Sequence, residues 1–214
     1  MAKFCDLMAK LYFRYSCMNA GKSTQLLQVC HDYEINNNKR VIVAKPIIDT
    51  KADDYVVTRM GNGKFKRKCD FLIHPNDSLY QIIQTMENVD IILIDEAQFL
   101  TKQNVIDLAK IAVFLNVPVI CYGLRSDFTG KPFEGSAWLF ALAQDIEEIS
   151  TRALSRIGDT SKRATMNMRL INSKPTFSGK QVIIDHTDQV QYIPVSLDEF
   201  LKQKQKWEDK HYGQ

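Results

Sequence analysis

Two stretches of the chain carry residue types that do chemistry. Residues 16–23 read Ser-Cys-Met-Asn-Ala-Gly-Lys-Ser, following the apolar and aromatic run Leu11, Tyr12, Phe13, Tyr15 and preceding Leu26 and Leu27. A buried strand, a small-residue turn holding Asn19 and Gly21, and a helix opening at Lys22 make an anion cradle. Loop N–H groups and the positive helix end both face the bound phosphates. Lys22 supplies a mobile charge for the outer phosphates, and the Ser23 hydroxyl can ligate Mg²⁺. The pattern G-x-x-x-x-G-K-[ST] has Ser16 in place of its first glycine, so a chance Gly-Lys-Ser at a helix start is the alternative. The second stretch is Val89-Asp-Ile-Ile-Leu-Ile-Asp-Glu96, an apolar strand ending in two adjacent carboxylates. At such a strand end Asp95 can face a cation held at Ser23, which leaves Glu96 to act as a base or to position a nucleophile. An acidic pair alone fits a helix N-cap equally well. Downstream of a phosphate loop it points to a nucleoside-triphosphate site.

These residues need a scaffold, and the composition supplies one. A chain of 214 residues that is 45% hydrophobic holds enough apolar material for one full core and an appendage. The net charge of +3 is too small to imply nucleic-acid binding. No apolar run reaches membrane-spanning length, and the amino terminus lacks a signal-peptide core, so no membrane attachment is expected. The five cysteines (Cys5, Cys17, Cys30, Cys69, Cys121) form no C-x-x-C pair. They read as reduced thiols of a cytoplasmic protein.

The positioning elements follow in order. Arg40–Pro46 predicts a buried parallel-type strand, and 77–87 a helix with Leu79, Ile82, Ile83 and Met86 on one face. Between them, residues 49–70 are polar and basic. Lys64–Lys68 is either a cationic flap over phosphates or, as such charge runs favour, a solvated loop or edge hairpin. Thr101–Leu115 predicts an amphipathic helix, Val117–Tyr122 a strand and Ser136–Gln144 a helix. The loop 123–135 carries Phe128 and Phe133. They either stack on a ligand or pack onto the core, and the residues alone leave that choice even. The alternation of strands and helices predicts a doubly wound α/β core. From Asp145 the texture becomes β-rich, closing with a charged helix over 197–210. The division expected is an N-terminal extension (1–10), an α/β core (11–145), a β-rich subdomain (146–196) and a C-terminal helix and tail (197–214).

Three motifs together, Tyr-Ser-x-Met-Asn-Ala-Gly-Lys-Ser-Thr, Ile-Asp-Glu-Ala-Gln-Phe-Leu and Cys-Tyr-Gly-Leu-Arg-Ser-Asp-Phe, resemble the type II thymidine kinases. That family joins a P-loop (RecA-like) parallel-sheet core to a small zinc-bearing lasso subdomain, and the likeness runs from about Leu11 to Val195. Some members share serine at the first loop position. The resemblance implies ATP-dependent phosphorylation of the thymidine 5′-hydroxyl with Mg²⁺ as cofactor, in a cytoplasmic homotetramer with no nucleic-acid partner. Ser16, Cys17, Met18, Asn19, Ala20, Gly21, Lys22 and Ser23 would hold the triphosphate, with Asp49, Lys51, Asp95 and Gln98 completing that side. Ser23 and Asp95 would hold Mg²⁺, and Glu96 would be the general base. Met18, Phe99, Leu124, Phe128 and Phe133 would wall the thymine pocket. Gln181, Val182, Ile183, Ile184 and Asp185, with Tyr192, would form the lasso that meets the base.

Three departures from the family stand out. Lys51 replaces the arginine of an Asp-x-Arg motif and loses its bidentate fork. Asp185-His186 replaces Gly-Gly in the lasso. The zinc cysteines are missing, with Ile157 or Gly158, Thr160, Ser196 and Glu199 in their places, so no zinc is expected. Ser196-Leu-Asp-Glu199 reads instead as a capping box for the last helix. The rival functions are a P-loop ATPase that drives motion, and a non-catalytic nucleotide-binding protein with an altered lasso.

Overall fold

The computed structural model describes residues 8–49, 52–58, 64–152, 161–181 and 190–212. They form two compact units, each discontinuous in sequence. The larger takes the described residues of 8–15, 21–123 and 134–148. In chain order its elements are β1 (Leu11–Ser16), α1 (Lys22–His31), β2 (Val41–Pro46), β3 (Tyr55–Val57), β4 (Lys66–Lys68), β5 (Phe71–Ile73), α2 (Leu79–Gln84), β6 (Ile91–Ile94), α3 (Lys102–Phe114), β7 (Val119–Leu124), α4 (Glu134–Leu142) and β8 (Asp145–Glu148).

The fold class is α/β with a six-stranded central sheet in the order β5-β2-β6-β7-β1-β8. The β2–β5, β2–β6, β6–β7 and β1–β8 pairs are all parallel. Continuous apolar runs suit a sheet covered on both faces. All of β2 and β6 is buried, and Leu26, Leu79, Ile83, Val105, Leu108, Ile111 and Leu139 are buried with them. Each such side chain contributes about 1.5–3 kcal/mol of burial. Helix α3 begins as its sequence predicts: Thr101 is its N-cap, and the Thr101 and Asn104 side chains satisfy each other's backbone N–H in a capping box.

Two strands of this unit escaped the sequence. Phe71–Ile73 joins the sheet edge beside β2, and Asp145–Glu148 pairs with β1. The core therefore continues past Asp145, where the change of texture had suggested a boundary. Charge concealed β8, and Arg14 answers that charge, with Nη1 2.5 Å from Asp145 and Nε 3.1 Å from Glu147. The basic stretch is an edge hairpin: β3 and β4 pair antiparallel. Its charges have local partners, with Lys66 over the Tyr55 ring, Arg67 on Glu34 and Asp70, and Lys68 on Asp54.

The smaller unit takes the described residues of 16–20, 124–133 and 149–212. It holds β9 (Thr151–Arg152) paired with β10 (Arg163–Ala164), then β11 (Met166–Ile171), β12 (Lys174–Thr176), β13 (Val190–Val195) and α5 (Leu197–Tyr212). The strands β12, β11 and β13 form an antiparallel sheet. Met166, Met168 and Leu170 of β11 build an apolar core with Phe177, Ile193, Val195 and Phe200, backed by Trp207. Asn167 and Arg169 are also buried, at 4% and 1% exposure, and strand alternation places them on the opposite face.

At the start of α5, where the sequence predicts a capping box between Ser196 and Glu199, Glu199 Oε1 accepts from Gln203 Nε2 at 2.8 Å and Asp198 pairs with Lys162 at 2.6 Å. An i,i+4 amide thus draws on the carboxylate that the reciprocal cap would use. Among the described residues, no helix is long and apolar enough to cross a membrane.

Candidate active site

In the larger unit the phosphate-binding sequence opens α1. Gly21 is its N-cap, at φ +85°, with no side chain among the described residues capping the helix and no acid in the first turn. A helix start without its own acceptor or carboxylate suits an incoming anion. Lys22 is buried at the first helical position. Ser23 follows, and its Oγ donates to Asp95 Oδ2 at 3.0 Å. The two motifs read from the sequence therefore meet.

Asp95 sits at the end of β6, buried to 4% exposure. Its Oδ1 accepts the Glu96 amide at 3.0 Å. Burial pushes its carboxyl up from the ordinary 3.8 to about 7, and the Glu96 charge adds to the rise. Hydrogen bonds from Ser23 and the Glu96 amide, together with the Lys22 charge, oppose it. A divalent cation at these oxygens would restore the ionised form.

Glu96 lies in the left-handed region at φ +49°, ψ +36°, a conformation a non-glycine residue holds only when its surroundings impose it. A 3₁₀ turn, Ala97–Phe99, starts there. The Gln98 side chain, 1% exposed, donates from Nε2 to Glu96 Oε2. Glu96 is thus fixed through one carboxylate oxygen and remains partly exposed, as does Phe99. Gly135 at the start of α4 presses on this turn. A Cβ there would lie 2.5 Å from the Ala97 carbonyl and 2.9 Å from that of Gln98.

Asp49 is buried at 8% exposure and pairs with Lys45 Nζ at 3.1 Å. Lys45, 1% exposed, also donates to the Tyr55 carbonyl at 3.3 Å. It follows Ala44, the β2 partner of Ile94, which puts it beside Asp95 in the sheet register. Sequence reading missed this buried cation. The signal was available: a lysine ending the apolar run Val-Ile-Val-Ala.

In the smaller unit the loop after Leu124 is tightly built. Asp127 Oδ1 accepts from the Thr129 amide and hydroxyl and from the Lys131 amide. Its Oδ2 accepts Gln181 Nε2 at 3.0 Å. Phe128 and Phe133 are both buried, and Leu124 is half-buried. Phe128 meets Tyr192 edge-to-face at 6.4 Å, and the Arg169 guanidinium lies 3.6 Å from its centroid. The Met18 amide donates to Asn167 Oδ1 at 2.8 Å, and Asn167 Nδ2 reaches the Ser126 carbonyl at 3.4 Å. Ser16 donates to the Cys17 carbonyl, Cys17 packs on Ala164, and Asn19 takes φ +63°; Ala20 is half-buried.

The structure thus brings Met18, Phe128, Gln181 and Tyr192 into one unit, and Lys22, Ser23, Asp49, Asp95, Glu96 and Gln98 into the other. Lys51, Val182, Ile183, Ile184 and Asp185 lie outside the described residues, as do Ile157, Gly158 and Thr160. Asn167 and Arg169 were also missed; the polar alternation in Met-Asn-Met-Arg-Leu was their signal. Among the described residues, no group of three or more His, Cys, Asp and Glu stands ready to hold a metal. Ser23 and Asp95 are nevertheless hard oxygen donors of the kind Mg²⁺ uses together with phosphate oxygens and waters.

Comparison with known proteins adds the family. Residues 9–197 match the family described as Thymidine kinase. A thymidine kinase of Streptococcus pyogenes serotype M3 is 40% identical over 189 residues, covering 88% of this chain and 95% of its own. One of Streptococcus gordonii is 39% identical over 196 residues, covering 91% and 97%. One of Chromobacterium violaceum is 40% identical over 167 residues, covering 76% and 83%.

Proposed function

Because the chain belongs to the thymidine kinase family, and so is a phosphotransferase acting on thymidine, we propose that ATP is its donor and Glu96 its general base. The observation that carries this reading is the Ser23–Asp95 contact at 3.0 Å with Glu96 directly following. It joins a phosphate-loop helix to a carboxylate pair, the minimum a phosphoryl transfer needs from side chains.

The steps assigned to this chain are few. The α1 amino terminus and Lys22 bind the triphosphate and draw charge from its outer oxygens. Ser23 and Asp95 would hold Mg²⁺, which would supply charge neutralisation at the phosphates. The thymidine 5′-oxygen attacks the γ-phosphorus, the bond to the β-bridging oxygen breaks, and the hydroxyl proton passes to Glu96. Gln98 occupies Glu96 Oε2, so Oε1 is the oxygen assigned to that proton. Asp49, steadied by Lys45, borders the phosphates with Lys51. Met18, Phe99, Leu124, Phe128 and Phe133, with residues 181–185 and Tyr192, contact the base. The family resemblance further supports a cytoplasmic homotetramer, and the buried thiols of Cys17, Cys30, Cys69 and Cys121 suit a reducing compartment. A monomer in sedimentation would remove the tetramer.

Coupled ADP release tests the reaction, with thymidine, deoxyuridine, deoxycytidine and deoxyadenosine compared one at a time. Thymidine-dependent turnover is expected, with little ADP when no nucleoside is present. ATP hydrolysis indifferent to nucleoside would instead favour a P-loop ATPase. Glu96→Gln removes the proton acceptor with little change of shape, so kcat should fall by about 10²–10⁴-fold while ATP affinity holds. Near-normal turnover by that variant removes Glu96 from the role.

A further inference from the structure

We propose that Arg169 is the positioning residue for thymidine, locking the Phe128 ring and the turn at Ser178–Lys180 into one arrangement. This rests on the reading of Phe128 as a base contact. Arg169 is 1% exposed, yet its described partners are a ring face and main-chain carbonyls rather than a carboxylate. Its guanidinium carbon lies 3.6 Å from the Phe128 centroid, covering one face of the ring. Nη1 donates to the Lys180 carbonyl at 2.9 Å, and Nη2 to the Ser178 carbonyl.

Between those carbonyls Gly179 sits at φ +103°, where a Cβ would meet Nη2 at 2.9 Å. Both backbone conformation and space therefore call for glycine, and the turn is shaped around the guanidinium. Gln181 follows at once and reaches Asp127, the residue that folds the Phe128 loop. Two segments distant in sequence are thus tied at two points: Gln181 to Asp127, and the turn through Arg169 to Phe128.

Packing alone does not account for this arginine. Among the described residues its buried Nε has no hydrogen-bond partner, a loss that an apolar residue of similar volume would avoid. What an apolar residue would not do is hold two carbonyls and a ring face at once in a planar fork. Recognition of a flat base requires its contacts to be held within about 0.5 Å, and Arg169 supplies that constraint beneath the contact surface.

The test compares Arg169→Lys, Phe128→Ala and the double variant by steady-state kinetics and thermal melting. Lysine keeps the charge but not the planar fork. We expect Arg169→Lys to raise the thymidine KM by about ten- to thirtyfold, the size of a desolvated cation–ring contact, with the ATP KM unchanged. On the Phe128→Ala background the same substitution should add less than about twofold, since both act through one contact. A normal thymidine KM for Arg169→Lys beside a raised one for Phe128→Ala overturns the positioning role and leaves the base contact standing. An unchanged KM for Phe128→Ala removes the base contact itself. Equal losses toward both substrates together with a lower melting temperature mark a structural residue only. Should Arg169→Lys not fold, Gly179→Ala decides: it crowds Nη2 from the other side, and a normal thymidine KM there overturns the proposal.

Discussion

At the scale of single residues, burial and charge oppose each other at Asp95, and that conflict is measurable. Its carboxyl is raised from 3.8 to about 7 by burial and by Glu96. A carboxyl whose pKa is higher folded than unfolded binds its proton more tightly in the folded state. Its contribution to stability is complete below pH 3.8 and is lost as pH rises through about 7. Asp95→Asn, which cannot ionise, should therefore melt higher than the parent at pH 8 in the absence of nucleotide and metal. The gap should close as pH falls towards 4, and activity should drop by at least about 10²-fold throughout. A gap that does not depend on pH would show that Asp95 is already ionised. Lys45 makes the complementary case. Lys45→Met removes a buried cation from the Asp49 carboxylate and should cost about 3–5 kcal/mol. Much of that loss should return in Lys45→Met with Asp49→Asn, as a double-mutant cycle by chemical denaturation can show. The pairing of Ser23 with Asp95 was legible in the sequence because each sits in a contiguous motif. Lys45, Asn167 and Arg169 were not, because what defines them is a partner brought from elsewhere in the chain.

At the scale of elements, the 3₁₀ turn 97–99 holds Glu96 in its left-handed conformation, and α4 presses on that turn through Gly135. Gly135→Ala would place a methyl 2.5 Å from the Ala97 carbonyl and 2.8 Å from that of Leu100. These are backbone atoms that cannot swing away, so the turn itself must move. A cost of about 1–3 kcal/mol is expected, with kcat falling more than either KM. Unchanged kcat at reduced stability would mean that Glu96 tolerates the shift. Periodicity made α3 legible from its Thr101 cap onward, and the apolar run of β6 announced a buried strand. It could not announce β5, with only three residues, or β8, where Asp145, Glu147 and Glu148 carry charge on an edge strand. At α5 the expected capping box has a competitor. The pattern Ser-x-x-Glu is present, but Gln203 offers Glu199 a partner one helical turn away.

At the scale of the whole molecule, the parallel sheet followed from the order of strands and helices, and the question left is what stabilises the smaller unit. All five cysteines lie at or before Cys121, and past Asp145 the only histidines are His186 and His211. A structural zinc needs about four such ligands and is worth roughly 10–16 kcal/mol apparent. We expect the core of Met166, Met168, Leu170, Phe177, Ile193, Val195 and Phe200 to serve in its place. Phe200 is 2% exposed and meets Phe177 edge-to-face at 5.3 Å, with Trp207 at 6.1 Å from Phe177. If this apolar cluster carries the unit, Phe200→Ala should cost about 3–5 kcal/mol, and chelation should cost nothing. The experiment is a melt of the untagged protein, free of nucleotide, before and after dialysis against a strong chelator, beside metal analysis of the same sample. The expected result is no stoichiometric zinc, an unmoved transition after chelation and a much lower one for Phe200→Ala. One zinc per chain, or a transition that collapses on chelation, would mean that a metal holds this unit and that the aromatic cluster only assists it.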